Sequence, residues 1–446
     1  MAVVICGAGI AGVSTAYHLA VRQRVDDVII CDPAVPLGLT SDKSSECYRN
    51  WWPGPGTGMV DLMNRSIDLM EEIESRSGGA LAMNRRGYLY VTGDPAVLHR
   101  MERSGREIAA LGAGELRVHH DTVDYSPAAP SGVAGPGGAD LLVGDAATSL
   151  FPYLGADTVG ALHARRAGWL SAHQLGSRLL DEARAAGARL VGASVVGIDS
   201  TGGRVRSVRL DDGSEIPATA VINAAGPMQK DVAAMVDMDL PVFAEVHNKV
   251  AFRDSRAALP RGAPMLIWMD AQVLDWSPDE VEMLRSEGRG PLTGTMPPIC
   301  HCRPEGGADS PWVVALWEYH KTVMDPVWPI PEDPLLSEVV VRGISRMVPA
   351  MAAYRDHLPQ PFVDGGYYVK TTENRPLIGP IGPEGSFLVG ALSGFGIMAA
   401  PAAGELAAAH VLGLPLPAYA PEFELTRYED PAYIATIATQ EDTGQL

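Results

Sequence analysis

The N-terminal segment of this 446-residue chain joins a short apolar run to three closely spaced glycines. The run Val3–Cys6 predicts a buried strand, and Gly7, Gly9 and Gly12 follow it at the spacing G-x-G-x-x-G. In such a turn the first glycine permits the tight bend, the second lets backbone amides approach a pyrophosphate, and the third permits close packing of a helix on the strand. Asp32 follows a second apolar run and is placed to accept a hydrogen bond from a ribose hydroxyl. The segment therefore predicts a strand-helix-strand unit that binds a dinucleotide.

The helix after the glycines begins at Ile10 and Ala11, so its positive N-terminal end would meet the phosphates. The motif is compatible with either FAD or NAD. An acidic residue at position 32 argues against a ligand with a 2′-phosphate, and so against NADP.

Composition and charge narrow the class of protein. With 46% hydrophobic and 20% charged residues the chain has enough apolar side chains for a large core, and its length suggests two or three domains. The net charge of -19 argues against a nucleic-acid partner bound through a basic surface. No uninterrupted apolar stretch approaches the length of a membrane span, and the first strand leaves no room for a cleavable signal peptide. We therefore expect a cytoplasmic protein without a membrane partner.

The five cysteines predict neither a disulfide framework nor a metal site. Their number is odd, and Cys6 and Cys31 lie in predicted buried strands. The sequence Cys300-His301-Cys302 has no second pair of ligands at the spacing of a zinc site, so we expect no metal.

The rest of the chain alternates between helical and strand-like patterns. Ser171 with Gln174 predicts the capped start of a helix, and an Ala-, Pro- and Gly-rich stretch at 128–140 marks a surface loop or a domain boundary. The region 240–340 alternates polar and aromatic residues, which is typical of a separate antiparallel domain. Strands are predicted at 87–91, 190–198, 204–210, 214–218, from 220 onward, 245–252, 312–320 and 387–390, and further helices at 62–73, 278–287 and 402–412.

Five short motifs are spread over nearly the whole chain. They are the glycine turn 7–12, Gly168-Trp169-Leu170, Ala224-Ala225-Gly226-Pro227, Pro376-Leu377-Ile378-Gly379-Pro380 and Ser393-Gly394-Phe395-Gly396. Together, and in this order, they resemble the D-amino acid oxidase family of flavoenzymes, which includes glycine oxidase, monomeric sarcosine oxidase and the dimethylglycine dehydrogenases. The resemblance favours FAD over NAD.

The resemblance implies an α/β fold with a Rossmann-like ββα FAD-binding domain and an antiparallel-sheet α+β substrate domain. The FAD-binding domain would be discontinuous and would comprise residues 1–85, 145–235 and 345–435. Residues 86–144 and 236–344 would form the substrate domain, and 436–446 a tail.

The reaction implied by the resemblance is oxidation of a carbon–nitrogen bond in a small amine or amino acid. A hydride equivalent passes to flavin N5, and water hydrolyses the resulting imine. The expected partners are therefore the small-molecule substrate and either oxygen or an electron-acceptor protein, while the oligomeric state stays open.

The resemblance also implies which residues contact FAD. Polar residues at 40–45 would lie along the pyrophosphate and the flavin edge, a valine backbone at 195 or 196 would meet adenine, and the segment 394–398 would meet the pyrimidine end of the flavin. The implied set is Gly7, Gly9, Ile10, Ala11, Gly12, Asp32, Thr40, Ser41, Lys43, Ser44, Ser45, Val195, Val196, Ala225, Gly226, Gly394, Phe395, Gly396, Ile397 and Met398.

On the substrate side, Tyr319 and His320 align with the Tyr-His pair that sarcosine oxidases place over the flavin. The resemblance adds Tyr368 and Arg49 near the ring, so these four residues are the predicted catalytic set. Further candidates for substrate contact are Trp51, His301, Arg303 and Lys370.

The chain departs from the sarcosine oxidase pattern at three positions. Where sarcosine oxidases attach flavin through a cysteine, this chain has Gly366-Tyr367-Tyr368, so FAD is expected to be noncovalent. Leu316 stands where the family has a lysine thought to assist the reaction with oxygen, and Met398 stands where the family has a lysine that binds a carboxylate. These changes leave open both the substrate and the choice between oxidase and dehydrogenase.

Two other functions stay open. One is oxidation of a 2-hydroxy acid or alcohol, for which His320 or His301 would serve as a general base. The other is a flavin-binding subunit without turnover.

Overall fold

The computed structural model describes residues 2–129, 132–319, 321–440 and 442–444, and within them the chain is a mixture of helices and sheets. The strands are β1 Val3–Cys6, β2 Val28–Cys31, β3 Cys47–Arg49, β4 Tyr88–Thr92, β5 Leu116–His119, β6 Ala139–Val143, β7 Gly160–Ala164, β8 Ala167–Trp169, β9 Arg189–Val191, β10 Val195–Thr201, β11 Arg204–Leu210, β12 Glu215–Pro217, β13 Ala220–Asn223, β14 Phe243–Arg253, β15 Met265–Trp268, β16 Gln272–Val273, β17 Thr295–Met296, β18 Cys300–Glu305, β19 Trp312–Leu316, β20 Phe362–Lys370, β21 Leu377–Pro380 and β22 Ser386–Gly390. The α-helices are α1 Ile10–Tyr17, α2 Gly58–Arg76, α3 Pro95–Ile108, α4 Asp145–Leu150, α5 Ala172–Ala185, α6 Gln229–Ala234, α7 Pro278–Ser286, α8 Leu336–Met347, α9 Gly396–Leu412 and α10 Pro431–Ile437.

A six-stranded sheet carries the N-terminal glycine turn. Its order is β21-β22-β13-β1-β2-β9, and all neighbours pair in parallel except β21 with β22. Every residue of β1 is buried, because helices α1, α5 and α9 pack near it while β2 and β13 flank it. A strand buried on both faces must be apolar throughout, which is why Val3–Cys6 shows no alternation.

A nine-stranded sheet forms the second layer of the protein. Its order is β20-β14-β19-β18-β15-β4-β7-β6-β5, with antiparallel pairs except for β15 with β4 and β5 with β6. Strands β7 and β20 belong to this sheet although they fall in ranges that the sequence assigned to the FAD-binding domain. The division into domains stays a prediction.

The strand predictions fail where the chain passes between sheets. The predicted strand 190–198 is wrong, because β9 is an edge of the six-stranded sheet whereas β10 belongs to a separate three-stranded sheet. Between them the backbone N–H of Ser194 donates to the Asp211 carboxylate at 3.1 Å, which turns the chain away. The predicted strand 312–320 ends at Leu316, while 204–210 coincides with β11.

The final long helix is longer than predicted. It starts at Gly396 rather than at 402, and Pro401 lies within it. Its Gly404 lies against α1, where a Cβ atom would be 2.6 Å from Ser14 Oγ. No helix in the described ranges has both the length and the apolar character needed to cross a membrane.

We predict that Gly12→Ala lowers the free energy of unfolding by about 1–3 kcal/mol, the usual range for forcing extra atoms into a packed site. A Cβ atom at this position would lie 2.0 Å from the carbonyl oxygen of Gly7, and backbone cannot move aside as a side chain can. The gain in helix propensity, about 1 kcal/mol, opposes only part of this cost. Urea unfolding followed by circular dichroism measures the difference.

Gly192→Ala is the matched control, because a Cβ atom there meets nothing within 4 Å. Equal destabilisation by the two variants would contradict the packing role of Gly12.

Candidate active site

A cavity of about 380 Å³ opens at the carboxyl ends of β1, β2 and β13 and at the N-terminal turns of α1 and α9. Gly7, with φ at +107°, turns the chain there, and a Cβ atom on it would lie 2.6 Å from the carbonyl oxygen of Ala224. Only glycine fits this position, and its bare backbone is what allows a pyrophosphate to approach. We call this space the outer cavity.

Polar groups at its entrance are held in place by the backbone. The backbone N–H of Ala8 donates to Asp32 Oδ2 at 2.7 Å, and that of Ala34 donates to Asp32 Oδ1 at 2.8 Å. The N–H of Ile10 donates to Ser41 Oγ at 3.0 Å. The carboxylate is thereby fixed at the end of β2 with acceptor capacity left over, since each oxygen has two lone pairs. These groups fit a dinucleotide, and they would hold FAD by its ribose and pyrophosphate.

Most of the residues predicted to contact FAD line the outer cavity. They are Gly7, Gly9, Ile10, Ala11, Asp32, Thr40, Ser41, Ser44, Val195, Ala225, Gly226, Gly394, Gly396 and Ile397, and the predicted catalytic residue Tyr368 joins them.

Six of the predicted FAD contacts do not line the outer cavity. Ser45, Phe395 and Met398 line a smaller cavity described below, and the other three lie elsewhere. Gly12 packs on the Gly7 carbonyl, Val196 is 48% exposed, and Lys43 forms ion pairs with Asp42 at 2.8 Å and Asp364 at 3.2 Å. None of these three lines the outer cavity. Adjacent residues on β10 point to opposite faces, which explains why Val195 lines the space and Val196 does not.

A second, smaller cavity of about 40 Å³ adjoins the first, and we call it the inner cavity. It is lined by Ser45, Cys47, Arg49, Trp52, Tyr88, Met265, His301, Tyr368, Gly394, Phe395, Met398 and Gly444. Tyr368 and Gly394 belong to both linings, and a Cβ atom on Gly394 would lie 2.3 Å from the Tyr368 ring. The tyrosine ring is therefore the wall between the two cavities.

Arg49 is the charged group of the inner cavity. Its side chain is 3% exposed, its Nη1 donates to the Tyr90 hydroxyl at 3.1 Å, and its Nη2 donates to the Gly444 carbonyl. The guanidinium lies 4.3 Å from the centre of the Trp52 ring, and its Nε has no hydrogen-bond partner among the described residues. No carboxylate in the described part of the chain forms an ion pair with it.

His301 lies on β18 in the same lining. Its Nδ1 is 3.0 Å from the Ile299 carbonyl oxygen, which only accepts hydrogen bonds, so Nδ1 carries the proton and Nε2 is the acceptor nitrogen. Burial lowers the pKa of His301. The ring is therefore neutral at neutral pH and is able to take up a proton.

The predicted cations Arg303 and Lys370 are used for structure rather than for a cavity. Arg303 Nη2 bonds to the Ser45 carbonyl at 2.8 Å and to Glu305 at 2.6 Å, and Lys370 Nζ pairs with Glu245 at 2.8 Å. Neither lines a cavity. Each charge already has a carboxylate partner, so the expectation that either binds substrate receives no support from their positions.

The predicted aromatic residues also divide. Trp51 is buried in the core and lines neither cavity, whereas its neighbour Trp52 lines the inner one. The Tyr319 hydroxyl donates to Asp333 Oδ2 at 2.7 Å, away from both linings. His320 lies outside the described residues.

A buried charge network that the sequence reasoning missed stands behind Tyr368. The His247 ring stacks on the Tyr368 ring with centroids 3.8 Å apart and 13° between the planes. His247 Nδ1 is 2.7 Å from Glu318 Oε1, and Nε2 is 3.2 Å from Glu245 Oε2, which also binds Lys370. The sequence signal for this network was the spacing of Glu245 and His247, because residues two apart on a predicted strand lie on the same face.

The network shifts the ionisation of its members. Burial alone would raise the pKa of Glu245, but hydrogen bonds from His247 and Lys370 outweigh it and lower that pKa to about 2. Burial alone would lower the pKa of His247, but hydrogen bonds to Glu245 and Glu318 outweigh it and raise that pKa. The imidazole is thus held as a cation between two carboxylates.

A family model described as FAD dependent oxidoreductase matches residues 2–410 of the chain. The chain belongs to this family. It is therefore an FAD-dependent oxidoreductase, and the family, the cofactor and the α/β fold class predicted from the sequence are confirmed. No curated protein sequence matches it.

Solved structures similar to this one cover almost the whole chain at low sequence identity. L-proline dehydrogenase from P. horikoshii is 19% identical over 96% of this chain and 97% of its own, with a TM-score of 0.73. Glycine oxidase from Geobacillus kaustophilus is 18% identical over 95% and 98%, with a TM-score of 0.72. Iminodiacetate oxidase from Chelativorans sp. BNC1 is 21% identical over 95% and 98%, with a TM-score of 0.70. These likenesses establish the shared fold.

We predict that Asp32→Ala weakens FAD binding about tenfold, since a hydrogen bond to a charged group contributes about 1.5–3 kcal/mol. The variant loses the acceptor for the ribose and also the bonds that order Ala8 and Ala34. FAD retained after exhaustive dialysis and the Kd from flavin fluorescence measure the loss. Asp27→Ala, which removes a surface ion pair to Arg189, is the control and should retain FAD. Equal retention by both variants would show that Asp32 does not hold the cofactor.

The raised pKa of His247 makes its contribution to stability depend on pH. A group whose pKa is higher in the folded state stabilises fully below its unfolded pKa, about 6.5, and loses this effect as the pH rises through the folded value. We therefore expect the difference in unfolding free energy between wild type and His247→Gln to be larger at pH 6 than at pH 9. Urea unfolding of the holoenzyme at both pH values measures it, and a difference independent of pH would refute the raised pKa.

Proposed function

We propose that the enzyme oxidises the carbon–nitrogen bond of a small amino acid whose carboxylate binds Arg49. The observation that carries this proposal is a buried guanidinium without a carboxylate partner among the described residues, in a cavity that shares Tyr368 with the outer cavity. A buried charge without a partner costs several kcal/mol, so an anionic ligand is expected to complete the site. The similar structures support this choice, because L-proline, glycine and iminodiacetate all carry both a nitrogen and a carboxylate.

The other residues of the inner cavity suit an amine. Trp52, Tyr88, Tyr368 and Phe395 give it aromatic walls that exclude water and favour an uncharged nitrogen. Because His301 is neutral and has Nε2 as an acceptor, it can accept a hydrogen bond from a substrate nitrogen that binds in its neutral form. FAD, when bound, accepts the hydride equivalent, and water then hydrolyses the imine.

A second candidate is oxidation of a 2-hydroxy acid in the same cavity. It is favoured by the same neutral His301, which would act as general base toward the hydroxyl, and by Arg49, which would bind the acid group equally well.

Anaerobic mixing of the purified yellow protein with amino acids, N-methyl amino acids, simple amines and 2-hydroxy acids distinguishes these candidates. Loss of the visible flavin absorbance with amino acids supports the first proposal, and loss with hydroxy acids alone supports the second. No reduction by any class would refute turnover and favour a non-catalytic subunit. Admitting air to the reduced enzyme then separates oxygen from an electron-acceptor protein as the oxidant. The cytoplasmic location stays a prediction.

We predict that Arg49→Met raises the KM for an amino acid substrate at least about 30-fold, because truncating one partner of a buried charge pair costs about 2–5 kcal/mol. The rate of reduction by the corresponding amine without a carboxylate should change far less. Stopped-flow reduction over a range of concentrations measures both. Arg206→Met, at an exposed position on β11, serves as the control and should match the wild type. Equal effects of Arg49→Met on the acid and on the amine would contradict carboxylate binding.

A further inference from the structure

The described residues after α10, which are 438–440 and 442–444, reach the inner cavity at Gly444. Gly444 is buried in the lining, and its carbonyl oxygen accepts a hydrogen bond from Arg49 Nη2. The cavity that remains, about 40 Å³, has room for a few water molecules but not for an amino acid. A carboxylate that binds the guanidinium of Arg49 in a bidentate way through Nη2 therefore competes with the Gly444 carbonyl for this nitrogen.

The segment is held by a small number of polar contacts. Asn374 Nδ2 donates to the Thr443 carbonyl at 3.2 Å, Gln440 Nε2 donates to the Gly54 carbonyl at 2.9 Å, and the Gly444 N–H donates to Asp442 Oδ1 at 2.8 Å. The preceding helix α10 has no buried residue. Among the described residues of α10 and of the segment after it, only Gly444 is buried, and a segment with few buried apolar contacts opens at low cost.

Glycine is required where the segment meets the cavity. Gly444 has φ at +71°, and a Cβ atom on it would lie 2.6 Å from Trp52 Cε3. Any side chain at this position would force the segment away from Trp52 and Arg49. Residue 444 therefore packs closely against Trp52 only because it is a glycine.

We propose that residues 438–440 and 442–444 form a displaceable cap, which occupies Arg49 in the substrate-free enzyme and controls access of the substrate carboxylate to it. This inference rests on the proposed function, because it takes Arg49 as the carboxylate site. The exchange is favourable for an anion, since a carboxylate accepts a stronger hydrogen bond from a guanidinium than a neutral carbonyl does. Because cap and ligand exclude each other, the observed affinity for the ligand is the intrinsic affinity multiplied by the fraction of enzyme in which the cap is open.

Calorimetric titration of the holoenzyme with propionate tests the cap without turnover. Removal of residues 438–446 and the single change Gly444→Ala should each lower the Kd for propionate by about fivefold or more. Gly444→Ala keeps the segment in place along the chain, so it tests the cap even where the deletion variant folds poorly. Thr439→Ala is the matched control, because its hydroxyl bonds only to the nearby Thr436 carbonyl among the described residues, and it should leave the Kd unchanged.

Hydrogen exchange gives a second readout in the full chain. Saturating propionate should speed exchange in a peptide that covers 438–444, because the bound anion displaces the cap. Unchanged exchange together with an unchanged Kd in both cap variants would overturn the proposal.

Arg49→Met in the cap-deleted background separates the two proposals. Loss of propionate binding there, combined with no effect of the cap variants, would overturn the cap and leave Arg49 as the carboxylate site. Retention of propionate binding would overturn the carboxylate role of Arg49, and the cap proposal with it.

Discussion

The architecture depends on a contact between backbone atoms at the end of β1. Gly12 approaches the Gly7 carbonyl, and Gly7 approaches the Ala224 carbonyl, at distances that leave no space for a Cβ atom. These two contacts set α1 directly against the turn after β1 and bring β13 alongside. Because of them, the carboxyl ends of three parallel strands and the start of a helix open onto one cavity, which is the general location of ligand sites in such sheets.

The buried cations show how a ligand-binding charge differs from a structural one. Arg303, Lys370 and Arg427 are each at most 6% exposed, and each pairs with a carboxylate, so their charges are neutralised within the chain. Arg49 is buried to the same degree but has only a hydroxyl and a carbonyl as hydrogen-bond partners among the described residues. Arg375 is equally buried and its guanidinium likewise lacks a carboxylate partner among the described residues, but it lines neither cavity. The position of Arg49 in the inner lining, together with its missing carboxylate, therefore supports the proposal that it binds the substrate.

Local chemistry explains what the sequence predicts well. The glycine turn and Asp32 depend on residues that are close along the chain, so their spacing already determines the turn, the helix start and the strand end. The role of Arg303 depends partly on Ser45, which is far along the chain. The role of Lys370 depends on Glu245, which lies on the neighbouring strand β14, two residues from the position opposite Lys370. Spacing alone does not show which cation finds a carboxylate. The same limit applies to Trp51 and Trp52, since only the path of the chain after β3 decides which of them faces a cavity.

Tyr368 connects the chemistry of the two cavities. Its ring is fixed on one side by Gly394, which has no side chain to displace it, and on the other by the stacked His247. The two carboxylates that hold His247 balance its charge, and each has a lysine partner: Glu245 pairs with Lys370, and Glu318 lies 3.9 Å from Lys321. Burial raises the pKa values of the Cys47, Tyr88 and Tyr368 side chains, which keeps them uncharged, and His301 is neutral as well. Arg49 is then the one charged group in the described lining of the inner cavity, so under the proposed function it is the group that orients a ligand beside Tyr368.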